Sequence, residues 1–208
     1  NRALSASEVS LLYKQGTALV NSSQSVTGLS SGLVGYWTFD GKDTNWNKNT
    51  TNDLSGNGNT GTMTSMSTTT SPMAGKIGQA LKFNGASSYI IGPTYNGVKT
   101  VSFWLKPNST TQQILNLDAT LASTSISSGT VLANNFTSPT IYVDGVNTST
   151  ISTGWHFVAI TTNTAINASA IQIGKTGTGS YGGVLDDVRV YNRALSPQEV
   201  RLLYNMGR

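Results

Sequence analysis

Nine acidic side chains and a single histidine are the whole stock from which this 208-residue chain could build acid–base or metal chemistry. The only glutamates are Glu8 and Glu199, and each falls where a helix cap needs one. Seven aspartates remain, mostly single and beside turn residues. Asp186 and Asp187 are adjacent, so on a regular strand they point to opposite faces and cannot act on one substrate atom. His156 lies in an apolar strand pattern beside Trp155, and no serine or cysteine is spaced to suggest a catalytic pair with it. SGNGNTG lacks the lysine and following helix of a phosphate-binding loop. With no cysteine there is neither a disulfide nor a thiolate metal site. The expectation is a non-catalytic chain.

Oxygen-rich loops suit a hard cation better. Ca²⁺ takes six to eight oxygens from carboxylates, amides and backbone carbonyls. DLSGNGN offers Asp53, Ser55, Asn57 and Asn59 in one turn-rich loop, while Asp40 and Asp43 end a strand and Asp186 sits on another. The same residues also suit turns that hold no metal. For ligand contact, aromatics at loops and strand ends are the candidates: Trp46, Tyr95, Tyr142 and Tyr181. Trp46 stands out, because KDTNWNKNTTND gives it no apolar neighbour. Trp37, Trp104 and Trp155 lie in strand patterns and are expected in the core.

The elements that must position these groups are short strands. GLVGYWTFD, QALKFNG, SSYIIG, TVSFWLKP, QILNL, TVLAN, TIYVDG, WHFVAITT, SAIQIG and GVLDDVRVY are brief runs of strand formers broken by Gly, Pro, Asn, Asp or Ser. TVSFWLK sets Val101, Phe103 and Leu105 against Ser102, Trp104 and Lys106. Helices long enough for parallel crossovers do not fit between such runs, so the predicted class is an all-β antiparallel sandwich.

One phrase occurs twice: NRALSASEVSLLYKQG from Asn1 and NRALSPQEVRLLYNMG from Asn192. In the second, Ser196 and Glu199 form a capping box with Pro197 at the first helical position. Val200, Leu203 and Tyr204 make one face, and Gly207 is placed to end the helix in a left-handed conformation. A helix this short needs a body to dock on. Residues 1–16 are therefore expected to be the tail helix of a preceding similar repeat, 17–31 a polar linker, and 32–208 the domain itself. A net charge of +4, with lysines and arginines scattered singly, argues against nucleic acid, and no apolar run could insert in a membrane.

GLVGYWTFD, DLSGNGNTG, GKIGQALKFNGASSYI, TVSFWLKP, IYVDG, WHFVAITT and GGVLDDVRVYNRALSPQEVRLLY, in that order, resemble a laminin-G-like, concanavalin-A-like jelly roll of the bacterial extracellular type. The resemblance implies two antiparallel sheets face to face, with a short C-terminal helix. It implies a structural Ca²⁺ joining first and last strands, with Asp186 of DDVRVY as acidic ligand; Asp40, Asp53 and Asn57 are the further candidates. It also implies a glycan or cell-surface partner, neighbouring domains of the same parent chain, and an extracellular or cell-surface place. Related glucanases carry a close glutamate pair on one strand, which this chain lacks. Two functions follow: a carbohydrate-binding or adhesion module, or a spacer repeat that binds other proteins and no glycan. A glycan-active enzyme comes third.

Overall fold

A computed structural model of the chain describes residues 26–118, 122–177 and 179–208. The expected tail helix at 1–16 lies outside the described residues. The chain divides into two compact units, Asn1–Ser31 and Gly32–Arg208. Of the first, the described part is one helical turn, α1 (Val26–Leu29), inside the segment expected as linker.

The second unit is a two-sheet antiparallel sandwich, as the strand patterns predict. Its strands are β1 (Leu33–Trp37), β2 (Thr44–Asn45), β3 (Thr50–Thr51), β4 (Gly61–Thr64), β5 (Pro72–Ala74), β6 (Gln79–Asn84), β7 (Tyr89–Ile91), β8 (Tyr95–Pro107) and β9 (Gln112–Asn116). There follow β10 (Ser123–Ser127), β11 (Thr130–Asn134), β12 (Thr140–Val143), β13 (Val146–Asn147), β14 (His156–Ala168), β15 (Gln172–Ile173), β16 (Lys175–Thr176), β17 (Gly179–Ser180) and β18 (Gly182–Tyr191). One sheet runs β13-β12-β14-β8-β18-β6-β5, with β1 also paired to β18. The other runs β11-β10-β9-β15-β7-β4-β3-β2. Inward rows from both, including Trp37, Phe83, Ile90, Val101, Phe103, Leu105, Leu115, Val158 and Ile160, are buried in one core. Their removal from water is the main stabilising term.

The outer face of the first sheet is also covered. Helix α2 (Pro197–Met206) buries Val200 and Leu203, and its Tyr204 stacks on Trp104, which in turn packs on Phe157. Every residue of β18, which pairs with β8, β6 and β1, is buried as well. The Tyr204 stack also corrects the view of Trp104: it is buried, but beneath the helix rather than between the sheets. The Ser196–Glu199 capping box is present as expected. Gly207 differs from expectation. Its φ of −106° is ordinary, and a side chain there would meet the Trp104 indole at about 2.7 Å. Close approach, and not a left-handed turn, requires glycine.

Candidate functional site

The edge of the second sheet places the first group of candidates. A 3-10 turn at Gly41–Asp43 leads into the β2–β3 hairpin, whose four-residue tip is Trp46 to Asn49. Asn49 takes a left-handed φ of 53° and closes the tip with its N–H on the Trp46 carbonyl. Asparagine tolerates that conformation better than most residues. Trp46 is half-buried and packs against the core. An open groove of about 400 Å³ is lined by it together with Lys42, Thr44, Asn45, Asn47 and Asn52.

The polar groups of that groove differ in what they have left to offer. The Thr44 hydroxyl donates to the Asp40 carbonyl, and Asn45 Oδ1 accepts from the Lys48 N–H. Lys42 Nζ lies 2.6 Å from Asp43 and 3.8 Å from Asp40. Asp43 also accepts from the Thr38 hydroxyl, and these bonds hold its carboxyl below the usual range against the opposing effect of burial. The side-chain amides of Asn47 and Asn52 make no hydrogen bond among the described residues, and both residues are exposed.

The other aromatic candidates are correctly placed in sequence but have no face to present. Tyr95 is buried edge-on against Trp37. Tyr181 is buried edge-on against Phe83 and donates its hydroxyl to the Val184 carbonyl. Tyr142 is buried opposite Ala159 on the outer face of the first sheet. Their strand positions put each ring into a packed face, so only Trp46 of the four keeps ring surface for a ligand.

The acidic candidates fall into two separate places. Asp53 belongs to its own loop: it accepts from the N–H groups of Tyr36, Ser55 and Asn59 and from the Ser55 hydroxyl. Asn57 donates its amide to the Leu33 carbonyl and Ser55. This is turn chemistry that ties the loop to β1, and it brings neither residue to Asp186.

Asp40 and Asp186 instead flank the Gly75–Gly78 turn. Asp40 Oδ1 accepts from the Gln79 N–H, and Asp186 Oδ2 accepts from the N–H groups of Lys76 and Ile77. A side chain at Gly75 would strike Asp186, and one at Gly78 would strike Asp40. The strand rule for Asp186 and Asp187 fails here. The register against β8 slips between Asp186 and Arg189, and Asp187 adopts φ 52°. This bulge brings both acids to the outer face. Asp187 forms a buried ion pair with Arg189 at 2.9 Å, and Arg189 also donates to the Tyr36 hydroxyl. Asp186 Oδ1 is buried with no hydrogen-bond donor among the described residues. Burial pushes the Asp186 carboxyl up to about 7; the Ile77 and Lys76 N–H groups pull it down, and Asp187 and Asp40 add to the rise. A buried anionic oxygen without a donor fits a cation. Among the described residues, however, no three acidic or histidine side chains stand close enough to hold one together. Any ion there would draw most of its ligands from carbonyls and water.

One arrangement was not foreseen. His156 Nδ1 lies 2.8 Å from Asp144 Oδ2, and its Nε2 lies 2.7 Å from Ser152 Oγ. The order of groups is that of a serine-hydrolase triad. Ser152 and His156 are only four residues apart across an exposed turn, and the serine oxygen also accepts from the Gly154 N–H. Asp144 binds the Phe157 N–H too, so the row clamps the β12–β14 connection. IYVDG followed by STGWH was the available signal.

The fold agrees with known proteins. The family model of the concanavalin A-like lectin/glucanases superfamily, laminin G type, matches residues 129–201. Domain 4 of the extracellular arabinanase AbnA from Geobacillus stearothermophilus, solved with arabinotriose, is similar at 22% identity and TM-score 0.55, covering 84% of this chain and 98% of that one. The binding domain of Paraclostridial Mosquitocidal Protein 1 aligns at 17% identity and TM-score 0.60, over 86% of this chain and 53% of that one. Trypanosoma rangeli sialidase aligns at 16% and TM-score 0.53, over 84% and 33%. The chain thus spans nearly all of the first, about half of the second and a third of the third. No curated protein sequence matches it. The chain shares its two-sheet jelly-roll fold with a domain of an arabinanase, a binding domain and part of a sialidase, and the fold alone does not decide among such roles. Among the described residues no helix is long and apolar enough to cross a membrane.

Proposed function

We propose that the chain is a non-catalytic carbohydrate-binding module of an extracellular or cell-surface protein, one unit of an array of similar domains. The observation that carries the reading is the half-exposed Trp46 over a groove with the unpaired amides of Asn47 and Asn52. An aromatic face suits the apolar face of a sugar ring, and amides suit its hydroxyls. The acids speak against glycoside hydrolysis, which needs two carboxylates across a bound sugar. Asp186 and Asp187 are buried, and Asp187 is neutralised by Arg189. Residues 1–16, a near copy of the C-terminal helix phrase, support the array.

A structural Ca²⁺ at Asp186, with Asp40 beside it, belongs to the same proposal. It would supply the positive charge that Asp186 Oδ1 lacks and would fix the Gly75–Gly78 turn against β18. A glycan array probed with the chain, with and without Ca²⁺, tests the function. Binding to a defined glycan class is expected; a folded chain that binds none points to the spacer function.

The Ser152–His156–Asp144 row favours a second reading, hydrolysis of an ester by Ser152. Turnover of p-nitrophenyl acetate that disappears in Ser152→Ala would support it. Equal background turnover in both proteins identifies the row as the hairpin clamp described above.

A further inference from the structure

We propose that the groove beside Trp46 selects a neutral glycan over an anionic one, a statement that rests on the carbohydrate-binding reading and narrows it. Among the described residues Lys42 is the one cation lining the groove, and its ammonium is already matched by Asp43 at 2.6 Å and Asp40 at 3.8 Å. The Asp43 carboxylate is fixed in turn by the Thr38 hydroxyl, so a negative charge stays beside the exposed Lys42 ammonium. An acidic sugar that reached for Lys42 would have to displace Asp43 or lie against the two carboxylates that flank that ammonium. Like charges at such separation oppose binding.

The remaining lining is neutral and amide-rich. Asn47 and Asn52 each offer a carbonyl acceptor and an NH₂ donor with no partner among the described residues, and Asn45 keeps its NH₂ group. A sugar hydroxyl can use both the carbonyl and the NH₂ of such a group, whereas a carboxylate or sulfate can use only the NH₂ and leaves the carbonyl without a donor. Trp46 supplies the apolar wall, and its partial burial against the core fixes the ring before the ligand arrives. Little ordering of the tryptophan is then required on binding. The groove is open and lies at the tip of an edge hairpin, which suits a short section of a longer chain, one or two rings at a time.

The test is a tryptophan-fluorescence titration of the whole chain. The probes are neutral trioses (arabinotriose, xylotriose and cellotriose) and the anionic trigalacturonate and sialyllactose. A neutral probe is expected to bind, unchanged between low and high NaCl, since no ion pair forms. Trp46→Ala should weaken it about tenfold or more. Asn47→Ala, on the exposed tip, should weaken it about threefold with an unchanged melting temperature; it keeps the test valid if Trp46→Ala misfolds. Binding of anionic probes alone, fading with salt, overturns the selectivity but keeps the glycan reading. Binding of neutral probes that ignores both substitutions places the site elsewhere and overturns the groove. A folded chain that binds no probe, and no glycan on an array, overturns the glycan reading itself.

Discussion

Asp186 accepts a hydrogen bond from the backbone N–H of Lys76 at 2.8 Å, across 110 residues of sequence. A single carboxylate on β18 thereby fixes a turn that precedes β6, while its other oxygen is buried without a donor. The two oxygens differ: one holds the chain, and the other is where the cation is proposed to sit.

The first prediction concerns that oxygen. Thermal melts of the chain in Ca²⁺ and in chelator should differ by several degrees, a shift worth about 1–2 kcal/mol in a domain of this size. Asp186→Asn keeps a carbonyl for the Lys76 and Ile77 N–H groups but loses the anionic charge. It should melt alike in both conditions. Wild-type melts that coincide would remove the metal from the account.

Asp53 should behave otherwise. Its carboxylate satisfies three backbone N–H groups and one hydroxyl. Asp53→Ala should lower stability by about 1–3 kcal/mol, and by the same amount with or without Ca²⁺. Urea unfolding in both buffers measures it; a loss confined to the Ca²⁺ buffer would make Asp53 a ligand instead.

The fold was largely legible because its strands follow a simple rule. Alternation in TVSFWLK found β8, and the serine–proline–glutamate spacing found the cap of α2. STSIS, now β10, lacked the bulky residues that mark a strand, and the two-residue β2 and β3 are too short for any period. The site was less legible, since it depends on departures from the rule. A bulge turns Asp186 and Asp187 to one face, although neighbours on a regular strand oppose each other. Tyr95, Tyr142 and Tyr181 stand near strand ends, yet partners distant in sequence cover them. Trp46 could be picked out because no strand pattern surrounds it. The free amides of Asn47 and Asn52 were in view in NWNKNTTN, but only the hairpin shows that they share a groove with it.

Acid should act on α2 through Glu199. Hydrogen bonds from Arg193, then from Ser196, hold its carboxyl down at about 2, against its ordinary 4.5. A carboxylate lowered on folding adds stability above its unfolded value and loses it as pH falls through the folded one. The loss should spread between about pH 4.5 and 2, and Glu199→Gln should flatten it in pH-dependent melts. Asp186 acts in the opposite sense. Raised to about 7 on folding, in chelator it favours the folded state more as pH drops from 7 toward 4.

Ser196→Ala should cost about 1 kcal/mol, because the Glu199 N–H and the returning carboxylate both lose a partner. Chemical denaturation is the measurement. A loss below about 0.3 kcal/mol would mean that docking on Trp104, and not the cap, holds the helix.

The most direct test of the central claim is a crystal structure of the chain with a neutral oligosaccharide that it binds in solution. The account predicts a sugar ring lying flat on Trp46, its hydroxyls within hydrogen-bond reach of Asn47 and Asn52. Sugar bound at another surface, with the Trp46 groove holding only water, would contradict it.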